Sequence, residues 1–285
     1  MTPQELAAFF ARNSDVIACE LTQVKGSSPR AEGTFMLVGA EEILGTIGGG
    51  ALEYMVIDHA RRLIAEGRAE EAMDVPLGPE IGQCCGGRVQ VGLCYVDATL
   101  KTEIEARISA EDERLPHVYV FGAGHVGRVL AQILSLMPVK LEVIDTREEE
   151  LSLLPAGISH RRVAMPEAVV RSAPEGSAFI ILTHDHALDF LIASEALARA
   201  DAPYVGMVGS RTKRAKFSSW YLEQGGDRKM LERLVLPIGA HGLGDKRPSV
   251  IAALAAAEVM VHLGGREASV GHAATSKQQG VASGY

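Results

Sequence analysis

The sequence predicts an α/β protein, with a C-terminal Rossmann-type doubly wound parallel sheet and a smaller N-terminal α+β domain. Three observations carry this. A short apolar run at 118–121 leads straight into Gly122, Gly124 and Gly127, the pattern G-x-G-x-x-G. Behind it Val126, Val129, Leu130, Ile133, Leu134 and Met137 recur at helical spacing until Pro138. A further strand pattern at 139–144 then closes on Asp145, about 20 residues after the first glycine, where a ribose-binding carboxylate is expected. In such a unit the first glycine allows the tight turn. The second admits an anion to the backbone, and the third lets the helix pack against the strand.

At 285 residues the chain has room for one large or two ordinary domains. With 47% hydrophobic and 22% charged residues it reads as globular. A net charge of -8 argues against nucleic-acid binding. Residues 1–10 lack the basic start and long apolar core of a signal peptide. The longest apolar run, 250–261, contains Glu258 and is too short to span a bilayer. Cys19, Cys84, Cys85 and Cys94 follow neither a disulfide framework nor a zinc pattern. These features predict a reduced, cytoplasmic protein without nucleic-acid or membrane partners.

The N-terminal domain is expected over 1–98. Thr2-Pro3-Gln4-Glu5 carries the signals of a capping box, and Leu6, Phe9 and Phe10 give the helix an apolar face. A strand at 15–24 is followed by Lys25-Gly26-Ser27-Ser28-Pro29-Arg30. This turn offers hydroxyls, backbone donors and one guanidinium, so Ser28 and Arg30 are candidate ligand contacts. Segments 34–38 and 42–47 read as a hairpin around Gly39. Gly48-Gly49-Gly50 then opens a helix over 51–65. Consecutive glycines cost entropy unless the backbone needs unusual angles or lies against something. The choice is between a sharp strand-to-helix turn and an anion cradle with Gly49 and Gly50 as its contacts.

A weak strand at 70–77 and a clear one at 89–96 flank Gly82-Gln83-Cys84-Cys85-Gly86-Gly87-Arg88. Two adjacent cysteines cannot both point into one core face. Either one packs and the other is incidental, or the loop presents a reactive thiol that Arg88 favours as thiolate. On the second reading Gln83, Cys84, Cys85 and Gly86 are site residues, with Cys84 and Cys85 as soft metal donors. Cys19 and Cys94 sit in strands among apolar neighbours and read as small hydrophobes. The charged stretch 99–115 reads as a helical linker.

The Rossmann-type domain is expected over 116–263. Its later elements are a buried strand at 177–183, a helix at 187–200, a strand at 203–208, a helix opened by 209–214, a strand at 234–239 and a closing apolar helix. A flexible tail is expected over 264–285. The strand order 3-2-1-4-5-6 places ligands beyond the C-terminal strand ends, between the first and fourth strands. His125 in the glycine loop and His184, Asp185 and His186 after the fourth strand would flank that crevice. For zinc, His184 and His186 lack an evident third partner. Ser210, Arg211 and Lys213 gather a hydroxyl and cations at a helix start, which favours an anion such as phosphate. Lys246 and Arg247 repeat the theme. For either cluster the alternative is ordinary solvated charge.

Taken in order, Gly26-Ser27-Ser28-Pro29-Arg30, Gly48-Gly49-Gly50-Ala51-Leu52-Glu53, Gly82 to Gly87, Gly122 to Gly127, Thr183 to Asp189, Gly209-Ser210-Arg211-Thr212-Lys213 and Asp245-Lys246-Arg247-Pro248 resemble the XdhC/CoxI family of accessory proteins for molybdenum hydroxylases. The resemblance implies a chaperone rather than a turnover enzyme. Such a protein holds the molybdenum cofactor, a phosphorylated pterin (molybdopterin) whose dithiolene binds the metal. A cysteine desulfurase replaces an oxo ligand by sulfido, and the cofactor passes to apo xanthine dehydrogenase. A homodimer is expected. Some relatives carry Gly-Cys-Leu-Glu where Gly50-Ala51-Leu52-Glu53 stands, so no cysteine role passes to position 51. Others carry Gly-Leu-Asp where Gly239-Ala240-His241-Gly242 stands. The alternative is an NAD(P)-dependent oxidoreductase, with a dinucleotide at Gly122, Gly124, Gly127 and Asp145. Against it, no Tyr-x-x-x-Lys proton donor stands out and the motif-rich N-terminal half would have no purpose. A nucleotide-binding regulator without catalysis is the third reading.

Overall fold

Thr2 starts the first helix, α1 (Pro3–Arg12), by the expected capping box. Its hydroxyl accepts from Glu5 N at 3.2 Å, and the Glu5 carboxylate accepts from Thr2 N at 2.8 Å. The computed structural model describes residues 1–78, 86–239 and 244–279. The chain divides between Arg114 and Leu115 into two units.

In the first unit α1 is followed by β1 (Ile17–Lys25), β2 (Phe35–Val38), β3 (Ile43–Gly45), α2 (Gly50–Glu66), β4 (Glu70–Pro76), β5 (Arg88–Tyr95) and α3 (Ala98–Glu113). The strands form an antiparallel sheet in the order β3-β2-β1-β5-β4. Alternate residues of a strand face opposite sides. Ile17, Cys19 and Leu21 accordingly pack with Leu52, Val56 and Leu63 of α2. Ala18 packs with the cluster of Leu6 and Phe9 from α1 and Ile104 and Ile108 from α3. The stretch read as a linker is thus built into this unit. Asp97 caps α3 by accepting from Leu100 N at 2.8 Å, and Ile104 and Ile108 are buried. Charge on its exposed positions hides this in the composition.

The second unit runs β6 (His117–Phe121), α4 (His125–Leu134), β7 (Lys140–Asp145), α5 (Glu148–Leu151), β8 (His160–Arg162), α6 (Pro166–Ser172), β9 (Ala178–Ile181), α7 (His186–Ala198), β10 (Val205–Met207), α8 (Arg211–Glu223), α9 (Arg228–Leu231), β11 (Leu234–Val235) and α10 (Pro248–Gln279). Its sheet is parallel in the order β11-β10-β9-β6-β7-β8. Counted within the unit, this is the expected 3-2-1-4-5-6 arrangement. Val118 and Val120 face the cluster of Leu130 from α4 and Ala252 and Ala255 from α10. Tyr119 and Phe121 face Val169, Ile192 and Phe217 of α6, α7 and α8. Helices therefore cover both faces, the definition of a doubly wound sheet. The last helix continues to Gln279, past the end expected at residue 263.

Phe179 anchors one face. It is fully buried, with ring centroids 5.9 Å from Tyr119 and 6.5 Å from Phe121. Phe179→Ala should cost ~3–5 kcal/mol in chemical denaturation of the full chain. A loss below ~1 kcal/mol, as for an ordinary surface substitution, would remove this stack from the account of the core.

Candidate functional site

The glycine loop of the second unit is built by close approach. Gly122 takes φ +115°, and a β-carbon there would overlap Leu182 O in the loop after β9. Only glycine holds that angle without strain. A β-carbon on Gly127 would overlap Gly122 O, so α4 rests directly on the turn. Gly124 differs: a β-carbon there meets nothing within 4 Å. Here α4 begins with no side-chain cap, and His125, its first residue, is exposed. An uncapped start presents N–H donors and the positive end of the helix dipole, which favour an anion.

Asp145 is 4% exposed at the end of β7. Its Oδ2 accepts from Ala123 N at 2.8 Å and from Arg147 Nη2 at 3.0 Å. Its Oδ1 accepts from Arg147 N at 3.0 Å and from Arg147 Nε at 3.1 Å. Burial pushes this carboxyl up, but the bonds from Arg147 and Ala123 outweigh it and hold the group below the usual carboxylate range. Arg147 also donates to Glu150 at 3.3 Å. Glu150 accepts from Arg128 at 2.6 Å, and Arg128 donates to Ala123 O at 3.1 Å. The expected ribose ligand is thus a clamp between β7 and the glycine loop.

The loops after β9 and β10 also correct the sequence reading. Asp185 caps α7, accepting from Ala187 N at 2.7 Å, while His184 and His186 are exposed beside it. Ser210 caps α8, accepting from Lys213 N at 3.2 Å. Lys213 is no free anion contact. It is 7% exposed, hydrogen-bonded to the fully buried Asp189, and donates to Val208 O at 3.0 Å. Asp189 also accepts from Thr183 N at 3.0 Å and Thr183 Oγ1 at 2.7 Å. Burial forces such charges to pair. Arg211 remains exposed, whereas Arg247 is paired with Asp245 at 2.6 Å.

In the first unit Gly48, Gly49 and Gly50 take φ of +140°, +78° and +65°. Glu53 folds back onto this turn, accepting from Ile47 N at 3.0 Å, from Gly48 N at 3.3 Å and from the Thr46 hydroxyl. Burial raises its pKa, but these bonds and one from Gly49 N prevail and hold the carboxyl below its ordinary value. The cradle expected at Gly49 and Gly50 is therefore filled by the chain's own carboxylate, and an incoming anion meets like charge. The neighbouring turn carries Ser28, whose hydroxyl accepts from Arg30 N at 3.4 Å. Pro29 of that turn lies 2.9 Å from where a Gly48 β-carbon would stand. Arg30 lines a cavity of 520 Å³ with Glu32, Phe35, Thr46 and Arg107. Its guanidinium has no partner among the described residues.

Gln83, Cys84 and Cys85 lie outside the described residues. The loop's base is fixed: Gly86 N donates to Leu77 O at 2.9 Å, and Leu77 N donates to Gly87 O at 2.8 Å. A β-carbon on Gly87 would overlap Ser27 O, so this base abuts the turn bearing Ser28 and Arg30. Arg88 is committed to Asp74 by two bonds of 2.6 and 2.7 Å, which corrects its expected role beside a thiolate. Cys19 is buried, and burial, then Cys94, push its thiol up to about 12. Cys94 is half-buried and also raised, first by burial. Both remain thiols, as expected of packing residues. Among the described residues no group of three or more His, Cys, Asp or Glu could hold a metal. Among the same residues no helix is long and apolar enough to cross a membrane.

The sequence reading gave no role of their own to Glu53, Arg147 and Asp189. Each had a signal. Glu53 is an acid in the first turn of a helix that follows glycines. Asp189 is a charge between Leu188 and Phe190, where burial demands a partner. Arg147 stands two residues from Asp145, within reach of its carboxylate.

Two family descriptions match the chain in order: the XdhC and CoxI family over residues 10–75 and the XdhC Rossmann domain over residues 118–259. The uncharacterized protein YqeB of Escherichia coli (strain K12) is 27% identical over 271 residues, which cover 90% of this chain but only 45% of that protein. A crystal structure described as a xanthine dehydrogenase from Bacillus halodurans superposes with a TM-score of 0.75 at 17% identity, covering 93% of this chain and 97% of the other. That likeness is one of fold.

Because Glu53 is held below its ordinary pKa, its contribution to stability is present above the unfolded glutamate value. It is lost as pH falls through the lower folded value. Glu53→Gln should therefore lower the thermal midpoint near neutrality and shrink the loss on acidification. An unchanged acid limb would show that Glu53 does not hold the turn.

Proposed function

Because the chain belongs to the XdhC and CoxI family, we propose that it is an accessory protein that holds the molybdenum cofactor during sulfuration and delivers it to apo xanthine dehydrogenase. The observation supporting this reading is the match of both units to one family in chain order. The cargo is a phosphorylated pterin whose metal is bound through sulfur. In the second unit the open space at Gly124 and the uncapped start of α4 suit a phosphate. In the first unit Arg30, beside Ser28 and without a partner among the described residues, suits an anionic edge. Cys84 and Cys85 would supply the soft donors that such a metal prefers. The protein then binds and releases rather than turning over. Its contacts with a cysteine desulfurase and with the client enzyme are transient, it acts as a homodimer, and it works in the cytoplasm. An NAD-dependent oxidoreductase would need Asp145 for its ribose, and Asp145 is already engaged.

The test is to purify the full chain from cells that make the cofactor and to measure molybdenum and pterin. Both should co-purify and restore activity to apo xanthine dehydrogenase. Cys84→Ala or Cys85→Ala should lower bound molybdenum, and Cys19→Ala should not. A folded protein that carries neither molybdenum nor pterin and does not help the apoenzyme would end the proposal.

A further inference from the structure

The fold suggests a dinucleotide at Gly122 to Gly127, and the loop fits only half of one. The phosphate half has room: Gly124 is open and α4 is uncapped. The ribose half does not. A carboxylate offers about four lone-pair positions. Ala123 N and three donors of Arg147 (N, Nε and Nη2) occupy those of Asp145. A ribose diol would have to displace the forked guanidinium, the strongest class of neighbour a carboxylate can have. Here the Asp145 side chain is 3% exposed and the Arg147 side chain 26%.

The guanidinium is also held from behind. Its Nη1 bonds Glu150, Glu150 bonds Arg128, and Arg128 returns to Ala123 O inside the glycine loop. The ring of contacts closes on itself. Nε, Nη1 and Nη2 each donate to a carboxylate, so the charge of Arg147 is already matched by Asp145 and Glu150, and one N–H remains on each of Nη1 and Nη2.

We infer that Arg147 is a latch that shuts the glycine loop to the ribose of NAD(H), leaving it to ligands that bring a phosphate without a demand on Asp145. The inference holds whether or not the protein carries the molybdenum cofactor. Removing the guanidinium leaves Asp145 bonded only to the backbone N–H groups of Ala123 and position 147. That frees one lone pair on each oxygen and restores a ribose-binding acid.

Calorimetric titration of NAD+ into the full chain tests this. The wild-type protein should bind far more weakly than Arg147→Ala, which should gain about tenfold or more, the equivalent of ~1.4 kcal/mol. The double variant Asp145→Asn, Arg147→Ala should lose the gain. Arg147→Lys keeps the charge but cannot fork, so it should show a smaller gain in the same direction, and it decides the matter if Arg147→Ala does not fold. Wild-type binding as tight as that of the variants, or folded variants with no gain, or a gain that survives loss of Asp145, would overturn the latch.

Discussion

The bond from Ala123 N to Asp145 fixes the end of the parallel sheet from which α4 leaves. It draws the glycine turn against β7, while Gly122 lies against Leu182 at the end of β9. Three adjacent strand ends thus meet at one turn, and α4 leaves from it in a set direction. A buried N–H left without an acceptor costs ~1–3 kcal/mol. The turn therefore cannot hold this shape unless an acceptor such as Asp145 supplies the bond. The acid of the dinucleotide pattern is present for a structural reason that comes before any ligand.

The same demand explains the first unit. A turn of three glycines with positive φ leaves N–H groups that need an acceptor, and Glu53 supplies it from the helix the turn begins. Asp185 and Ser210 do likewise for α7 and α8. Of the three helices that start after β6, β9 and β10, α4 is the one with no side-chain cap. Several features that look like anion sites in the sequence are therefore already occupied by the chain. The half-buried Gly124 at the start of α4 and the exposed Arg30 and Arg211 remain as points of attraction for an anion.

The order of the parallel sheet was legible because buried strands and a glycine fingerprint leave strong local patterns. β8 left none: His160, Arg161 and Arg162 are exposed and join the sheet through backbone bonds to β7. α3 was misplaced for a related reason, since its charged surface outweighs the two isoleucines that bury it. The pairing of charges was the least readable part. Lys213 and Asp189 meet only because β9 and β10 are neighbours. Arg88 and Asp74 meet only because β4 and β5 pair in register. Such partners depend on tertiary placement, and residue type alone made each cation look free.

Among α4, α7 and α8 the chain caps the last two itself and leaves the start of α4 open. The most direct measurement is a titration of the ¹⁵N-labelled full chain with inorganic phosphate, followed by amide chemical shifts. Saturable shifts are expected at Gly124, His125 and Val126, and none beyond background salt effects at Gly48, Gly49 and Gly50. Saturable shifts at the Gly48 to Gly50 turn, with the start of α4 unmoved, would contradict this expectation.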